Sequence, residues 1–289
     1  MAMKELMRTF IPNGQLVPLL DRYLITRPED PTKPRARAVI HPSQVHGCKR
    51  ALLYSIIEAP GTGSRNNPPK LERIFDNGHS VHARIQDYLV KMKVVPKLSN
   101  GKDAVEVWLR SEEMNVEGHA DGIVKLGGIE MVLEIKSMNL NQFSQLRKPK
   151  DEHILQVHLY MMALNIKRAL FLYECKDNQE LKEFQIVYDE KLGQYLKDRC
   201  KEINVCLRDH TLPDREACPN GANSSAAKYC PYAKICFTNH VFDQLANPEI
   251  LKLLPKKLPR FLMARSAISP SNTISPLKTV KRKIRLVRV

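Results

Sequence analysis

Residues 116–137 read VEGHADGIVKLGGIEMVLEIKS, two largely apolar stretches separated by Gly127-Gly128. A Gly-Gly pair between two such stretches predicts a β-hairpin with a two-residue turn. That turn fixes the register and places Asp121 opposite Glu134. Two directly opposed carboxylates repel each other unless a cation lies between them.

Lys136 follows Glu134 by two residues and therefore points from the same face of its strand. Asp, Glu and Lys side chains on one face suit a Mg²⁺ or Mn²⁺ site with an ammonium beside it, because these cations prefer hard oxygen ligands. The alternative is a solvated face with a surface salt bridge, since a bare D…ExK pattern is common. The apolar surroundings of Asp121 and Glu134 favour the metal site, because unpaired carboxylates are costly there.

The stretch resembles the core of the PD-(D/E)XK nucleases, in which an Asp and a Glu-x-Lys come from adjacent strands. This resemblance implies that Asp121 and Glu134 bind the metal together with the backbone carbonyl of Ile135. It also implies that Lys136 is catalytic, orienting the attacking water and offsetting charge on the phosphate. The expected fold class is α/β, a central mixed β-sheet flanked by helices.

A helix is predicted from about Leu71 to Lys91, with Phe75, Gly78, His82, Ile85 and Leu89 on one inward stripe. A lone His on such a stripe is ordinarily a core residue. Gly-x-x-x-His ahead of the acidic hairpin resembles the RecB-type subgroup of this superfamily, which implies that His82 is a metal ligand. Imidazole suits Mn²⁺ better than Mg²⁺. His79 and His119 are the alternative ligands.

A second helix is predicted over residues 152–166, with Leu155, Leu159, Met162 and Ile166 as its core face. Gln156 and Tyr160 lie one turn apart on the adjoining face, where they are ordinary polar positions of an amphipathic helix. A Q-x-x-x-Y spacing after the Glu-x-Lys strand also resembles the RecB-type nucleases. That resemblance implies that Gln156 and Tyr160 hold DNA and order the active site.

Three cysteines fall in residues 218–236, which read CPNGANSSAAKYCPYAKIC, a loop too polar to need them for packing. The chain has seven cysteines and nothing suggests secretion, so metal ligation is favoured over disulfides. With Cys48 as a fourth ligand, the pattern resembles RecB-type iron–sulfur nucleases, including CRISPR-adaptation and phage exonucleases. The resemblance implies a 4Fe–4S cluster on Cys48, Cys218, Cys230 and Cys236.

The spacing departs from that family, because eleven residues separate Cys218 from Cys230 where two are usual. Zn²⁺ in a four-cysteine site is therefore the alternative cofactor. Cys175, Cys200 and Cys206 fall in predicted core elements and are interpreted as structural.

The formal net charge of +15 favours a polyanionic partner. Residues 246–289 hold eleven Lys or Arg and one acidic residue, Glu249, so the segment is predicted to be a phosphate-binding arm. The alternatives are a solubilising extension or a site for replication or recombination proteins. DNA contacts are expected from Arg50, Arg147, Lys148, Lys281, Arg282, Lys283 and Arg285.

No apolar run approaches the roughly 20 residues of a membrane helix, and the first residues lack a signal-peptide core, so a cytoplasmic protein is expected. The predicted organisation is an N-terminal extension (1–40), a nuclease core (41–210), a cysteine-rich subdomain joined to Cys48 (211–245) and a basic tail (246–289).

The predicted function is a metal-dependent DNA exonuclease that acts on ends or single strands in replication, recombination or repair. No base-reading module such as a zinc finger is present, which argues against sequence-specific cleavage. One alternative is a nuclease-fold DNA-binding or structural subunit of a replication or virion assembly. Another is a metal-dependent RNA nuclease.

Overall fold

A computed structural model describes residues 16–27, 38–60, 68–238 and 240–254 of the chain. Five strands form one sheet in the order β1-β2-β3-β4-β5, with bounds Val105–Ser111, Val116–Leu126, Ile129–Met138, Arg168–Cys175 and Leu181–Val187. Neighbouring strands are antiparallel except β3 and β4, which are parallel. The fold is therefore α/β with a mixed sheet, as the sequence predicts.

Among the described residues up to 209, six helices of six or more residues accompany the sheet. They are α1 (Leu16–Thr26), α2 (Lys49–Ile56), α3 (Pro69–Lys91), α4 (Leu140–Gln145), α5 (Asp151–Leu164) and α6 (Glu190–Asp209). The C-terminal part holds α7 (Ser225–Lys228), α8 (Ala233–Cys236), α9 (Phe242–Leu245) and α10 (Pro248–Leu253). Within the described ranges, no helix has the length and apolarity needed to cross a membrane.

The β2–β3 hairpin has the predicted turn and register. Gly127 and Gly128 both have positive φ angles, 55° and 82°, which a two-residue turn of the primed type demands and glycine tolerates. The paired residues run from Leu126↔Ile129 to Gly122↔Leu133. The recorded pairing stops there, one step before Asp121 and Glu134, so the two strands fork at the candidate site.

The two faces of the sheet are covered by different helices, because successive strand side chains point in opposite directions. On one face, Val81 and Ile85 of α3 pack with Met131, Leu133 and Ile135 of β3. On the other, α5 packs over Val132 of β3 and over β4, whose buried residues there are Ala169, Phe171 and Tyr173. Glu134 and Lys136 alternate with the α3-facing residues and so point to the α5 side.

The predicted core face of α5 is correct but incomplete. Leu159 is fully buried, and Leu155, Met162 and Ile166 are partly buried and pack against the core. The helix is enclosed by the sheet, by α6 and by the short turn at Pro42–Gln44, so it is buried around most of its circumference. The buried residues are Ile154, Gln156, Val157, His158, Leu159, Tyr160 and Met161.

One predicted detail of α3 also differs. Phe75, assigned to the inward stripe, is exposed. The first half of α3 lies beside α1, to which it is tied by ion pairs from Arg27 and Arg73. The Pro42–Gln44 turn precedes α2, and Cys48 occupies the N-cap of α2.

The segment after α6 packs back onto α2 near the start of the described core. Asn247 N–H donates to the carbonyl of Ile57 at 2.8 Å, and Arg50 Nε donates to the carbonyl of Pro213 at 2.6 Å. Phe242, Leu245 and Ile250 join the main hydrophobic core. Both ends of the described core therefore meet at α2, where Cys48 lies.

Candidate functional site

The fork between β2 and β3 is filled by the side chain of Asp121. Its Oδ2 accepts a hydrogen bond from the backbone N–H of Ile135 at 2.6 Å. This bond fixes the carboxylate and leaves Oδ1 directed at α3, where His82 Nδ1 is 3.3 Å away. Burial opposes protonation of His82, but the hydrogen bond and charge of Asp121 outweigh it and raise the pKa of His82.

Glu106 of β1 joins His82 and Asp121 to form a group of three possible metal ligands. One ligand atom each from His82, Glu106 and Asp121 lie within 4.8 Å of one another, so the group can hold a metal ion. His79 and His119, the other histidines considered from the sequence, are exposed and lie outside this group. Carboxylate and imidazole ligands suit Mg²⁺ or Mn²⁺.

Sequence reasoning missed Glu106 and its partner Gln86. Gln86, one turn after His82 on α3, donates from Nε2 to Glu106 Oε1 at 2.7 Å and to the carbonyl of Asp121 at 2.8 Å. The register of β1 against β2 could have identified Glu106, because the pairs Val105↔Gly122 and Val107↔Ala120 put it opposite Asp121. That register depends on the loop joining the two strands, which carries no turn motif as clear as Gly-Gly.

Glu134 lies on the α5 side of the fork with its carboxylate buried and 1% of its side chain exposed. Within the described part of the chain, neither oxygen has a hydrogen-bond partner of good geometry, although Oε1 is 2.5 Å from Lys136 Nζ. Burial, followed by the nearby charge of Asp121, raises the pKa of Glu134 to about 7. Burial opposes the charge on Lys136, but Glu134 outweighs it and raises the pKa of Lys136.

Gln156 and Tyr160 are buried on α5, and Gln156 Nε2 donates to Tyr160 Oη at 2.7 Å. Burial, followed by the charge of Glu134, raises the pKa of Tyr160, so its hydroxyl stays protonated at neutral pH. The two predicted residues therefore form one unit on the helix that covers Glu134.

His153, one turn before Gln156, was not singled out from the sequence. The backbone N–H of Lys150 donates to Tyr173 Oη at 3.3 Å, and that hydroxyl is hydrogen-bonded to His153 Nδ1 at 2.8 Å. Burial, then the charge of Lys136, lowers the pKa of His153 to about 3, so the imidazole is neutral at neutral pH.

The other expected DNA contacts are dispersed. Arg147 donates to the carbonyl of Ser144 at 2.6 Å and Lys148 pairs with Asp151 at 2.6 Å, both in the exposed connector before α5. Arg50 holds Pro213 of the C-terminal segment. The expected contacts in the tail, Lys281, Arg282, Lys283 and Arg285, lie outside the described residues.

The four cysteines predicted as cluster ligands line one cavity of about 40 Å³ between α2 and the C-terminal segment. Burial, then the nearby Cys48, Cys236 and Cys230, raises the pKa of Cys218. Among the described residues, however, no group of three ligand atoms within 4.8 Å includes a cysteine. The thiols therefore share a cavity without being drawn to the short distances of a compact metal site. Cys175, Cys200 and Cys206 are buried elsewhere in the core.

Comparison with known proteins gives distant structural likenesses. No family model and no curated protein sequence matches the chain. The protein SSO0001 is similar in structure at 16% identity and a TM-score of 0.42, covering 77% of this chain and 96% of its own. The alkaline exonuclease LHK-Exo from Laribacter hongkongensis has 17% identity and a TM-score of 0.42, covering 59% and 88%.

LHK-Exo in complex with dAMP is similar at 14% identity and a TM-score of 0.35, covering 58% of this chain and 87% of its own. These likenesses are distant in sequence and in overall geometry. The function of this chain is therefore inferred from its own side chains.

Proposed function

We propose that this chain is a divalent-metal-dependent DNA exonuclease that hydrolyses phosphodiester bonds at ends or in single strands. The observation that carries the proposal is the meeting of three carboxylates, an imidazole and an ammonium at the β2–β3 fork. Carboxylates this close together repel each other unless a cation neutralises them, so the arrangement supports a cation-binding site.

The residues fit a bound cation. Glu134 offers two buried oxygens that lack well-directed hydrogen bonds among the described residues, and its pKa is raised because its negative charge is poorly compensated. His82, Glu106, Asp121 and Glu134, with the backbone carbonyl of Ile135, are the proposed ligands. A divalent cation there lowers the pKa of a bound water and polarises the phosphate.

Lys136 is the proposed catalytic ammonium. Its raised pKa keeps it charged at neutral pH, so it orients the attacking water and offsets the negative charge that develops on the phosphate. Gln156 and Tyr160 position the strand over Glu134, and the neutral His153 lies near enough to Lys136 for the ammonium charge to lower its pKa. Arg50, Arg147, Lys148 and the basic tail supply phosphate contacts that do not depend on base sequence.

We also propose a 4Fe–4S cluster on Cys48, Cys218, Cys230 and Cys236, within a cysteine-rich subdomain at residues 211–245. The four cysteines line one cavity, which supports a shared metal centre. Zn²⁺ held by the same four thiolates is the alternative. Tyr54 lines the same cavity, and its buried hydroxyl lies close to Cys236 and Arg50 without a well-directed hydrogen bond, which fits a donor to a cluster sulfur.

The cluster's role is structural. The ligand Cys48 lies far from the other three in sequence, so the cluster closes a long loop and reduces the freedom of the unfolded chain. Phosphodiester hydrolysis involves no change in oxidation state, so the cluster has no step to perform in the reaction.

The proposal is tested by digesting end-labelled single-stranded DNA, double-stranded DNA and RNA side by side with Mn²⁺, Mg²⁺ or EDTA. We expect metal-dependent release of nucleotides from DNA ends, and a loss of roughly 100-fold or more in Lys136→Ala. Lys125→Ala is the matched control, because Lys125 is exposed on the same hairpin and pairs only loosely with Glu130, at 3.9 Å.

DNA binding without cleavage would instead identify a non-catalytic DNA-binding subunit. Cleavage of RNA alone would assign an RNA nuclease. Cleavage by Lys136→Ala at the wild-type rate would refute the assignment of this site.

A further inference from the structure

Trp108 is the only tryptophan of the chain, and it is 52% exposed on β1, an edge strand of the sheet. Tryptophan is usually well buried, and a large exposed ring commonly marks a binding surface. Among the described residues, Trp108 makes no recorded contact with another ring or with a cation. Its side chain therefore contributes little to the core and is available to a ligand.

Trp108 lies directly beside the candidate metal centre. Along β1 the residues 106, 108 and 110 are exposed while Val107 and Leu109 are buried, so Glu106 and Trp108 point to the same side. In the β1–β2 register, Trp108 pairs with His119, which is also exposed. The pair thus lies two residues, roughly 7 Å, along the strands from Glu106 and Asp121.

We propose that Trp108, flanked by His119 across the strand pair, is a stacking subsite for one nucleobase of the strand being cut. This inference rests on the proposed function, because it takes the phosphate at Glu106 and Asp121 as the fixed end of the bound strand. Directly opposed side chains have Cβ atoms about 5 Å apart, so the imidazole of His119 lies within reach of a base stacked on the indole.

The chemistry of the surface favours a nucleobase over a protein side chain. Every base has a π-face, so stacking on an aromatic ring binds DNA without reading its sequence, as an exonuclease requires. Two residues further along β1, Arg110 pairs with Glu117, so the next position on the exposed side of this strand is charged and not aromatic. A single ring beside a phosphate-processing centre matches one base better than the extended apolar patch of a protein interface.

The subsite also specifies the form of the substrate. A base stacks on a side chain only after it has left its own stack, so the strand must be single or frayed at the end. The nucleotide next to the cut is therefore held unpaired. This predicts a preference for single-stranded DNA or for duplexes with unpaired ends.

Because Trp108 is the only tryptophan, the fluorescence of the unmodified chain reports on this position alone. The full-length protein is titrated in Ca²⁺, which takes the same oxygen ligands and is expected not to support cleavage, with oligothymidine and with an abasic strand of equal length. We expect saturable quenching by oligothymidine and little change with the abasic strand. Equal responses to both strands, or no response to either, would overturn the subsite.

Variants test the same idea by anisotropy of a labelled single strand. Trp108→Ala should bind roughly tenfold more weakly and show a higher KM with little change in kcat, whereas Trp108→Phe, which keeps a ring, should bind nearly as well as wild type. Tyr195→Ala is the control, since Tyr195 is an exposed aromatic residue on α6. Unchanged binding by Trp108→Ala would overturn the proposal even if the protein cleaves DNA.

The two proposals fail in different ways. Base-dependent quenching without any cleavage in Mn²⁺ would leave the subsite standing and refute the nuclease activity. Cleavage without quenching would support the nuclease activity and refute the subsite. If Trp108 is covered by a protein partner instead, neither strand will quench the isolated chain and Trp108→Ala will bind DNA normally.

Discussion

The backbone N–H of Ile135 donates to Asp121 Oδ2 at 2.6 Å, across the point where β2 and β3 separate. Asp121 therefore has two roles. Its Oδ2 links β2 to β3 where no backbone hydrogen bond joins them, and its Oδ1 faces His82 in the proposed metal site. The same carboxylate ties the geometry of the strands to the geometry of the site.

These two roles are separable by mutation. Asp121→Ala removes the acceptor and leaves the Ile135 N–H unpaired, which should lower the free energy of unfolding by about 1–3 kcal/mol. Asp121→Asn keeps an acceptor and should be about as stable as wild type, while both variants lose cleavage. Urea unfolding of the three metal-free proteins measures the difference. Equal stabilities of the Ala and Asn variants would show that the hydrogen bond does not support the fork.

Glu134 predicts how stability depends on pH in the absence of metal. Its pKa rises from an ordinary value of 4.5 to about 7 on folding, so the folded protein binds this proton more tightly than the unfolded chain. The resulting stabilisation is complete below the unfolded pKa and is lost as the pH rises through about 7. Glu134→Gln cannot ionise and should therefore gain stability relative to wild type between about pH 5 and about pH 8.

Thermal unfolding of both proteins in EDTA, at several pH values in this range, checks the sign. A constant difference in melting temperature would contradict the raised pKa. With saturating Mn²⁺ at the highest pH, the order should reverse, because the cation stabilises only a protein that retains the carboxylate.

Glu106 and Gln86 should affect metal binding in the absence of DNA. Glu106→Gln removes a proposed ligand charge, and Gln86→Ala removes the amide that orients it, so both should weaken Mn²⁺ binding roughly tenfold or more. Glu130→Gln is the matched control, because Glu130 is an exposed carboxylate on β3 of the same sheet. Calorimetric titration gives the affinities. Unchanged binding by Glu106→Gln would restrict the ligands to those anticipated from the sequence.

If the four cysteines hold an iron–sulfur cluster, the protein should be coloured. Anaerobically purified wild type should be brown with broad absorbance near about 400 nm, and Cys230→Ser should lose both colour and thermal stability. Cys200→Ala is the control; Cys200 is 1% exposed, so the variant's stability will fall through lost packing but its iron content should not change. Colourless protein with one zinc per chain would show a zinc site instead of the cluster. Metal-free protein of full stability would refute both the cluster and the zinc site.

Tyr54→Phe tests whether the buried hydroxyl serves the same centre. If Tyr54 donates to a cluster sulfur, the variant should keep its iron, and its reduction potential should become more negative, since the hydrogen bond favours the more negatively charged reduced state. An electrochemical titration measures this shift. An unchanged potential would mean that the hydroxyl faces the cavity without contacting the cluster.

The basic tail lies outside the described residues, so its role stays a prediction from sequence. Deletion after Pro276 removes the Lys and Arg residues of the last twelve positions. If they contact phosphates, the slope of log affinity against log salt concentration should fall by about 0.7–0.9 for each lost contact. An unchanged slope would assign the tail to a protein partner or to no partner.

The sequence by itself determined the hairpin and the two long helices, α3 and α5. Gly127-Gly128 fixes a two-residue turn, and with a period of two the turn fixes which residues of β2 and β3 share a face. This local chemistry brings Glu134 and Lys136 together on the α5 side. The mixed α/β class was expected from the resemblance of the hairpin to the PD-(D/E)XK core, and the five-stranded sheet confirms it.

Only the tertiary structure decided which groups complete the site. Three features depend on long loops and on helix packing, which local periodicity does not encode. They are the burial of α5 on several sides, the position of Glu106 opposite Asp121, and the contacts of Lys150 and His153 with the Tyr173 hydroxyl. The same holds for the cavity shared by four distant cysteines and for the exposure of Trp108 beside the metal ligands. Local spacing fixes neighbours within an element, whereas these contacts come from packing between elements far apart in the chain.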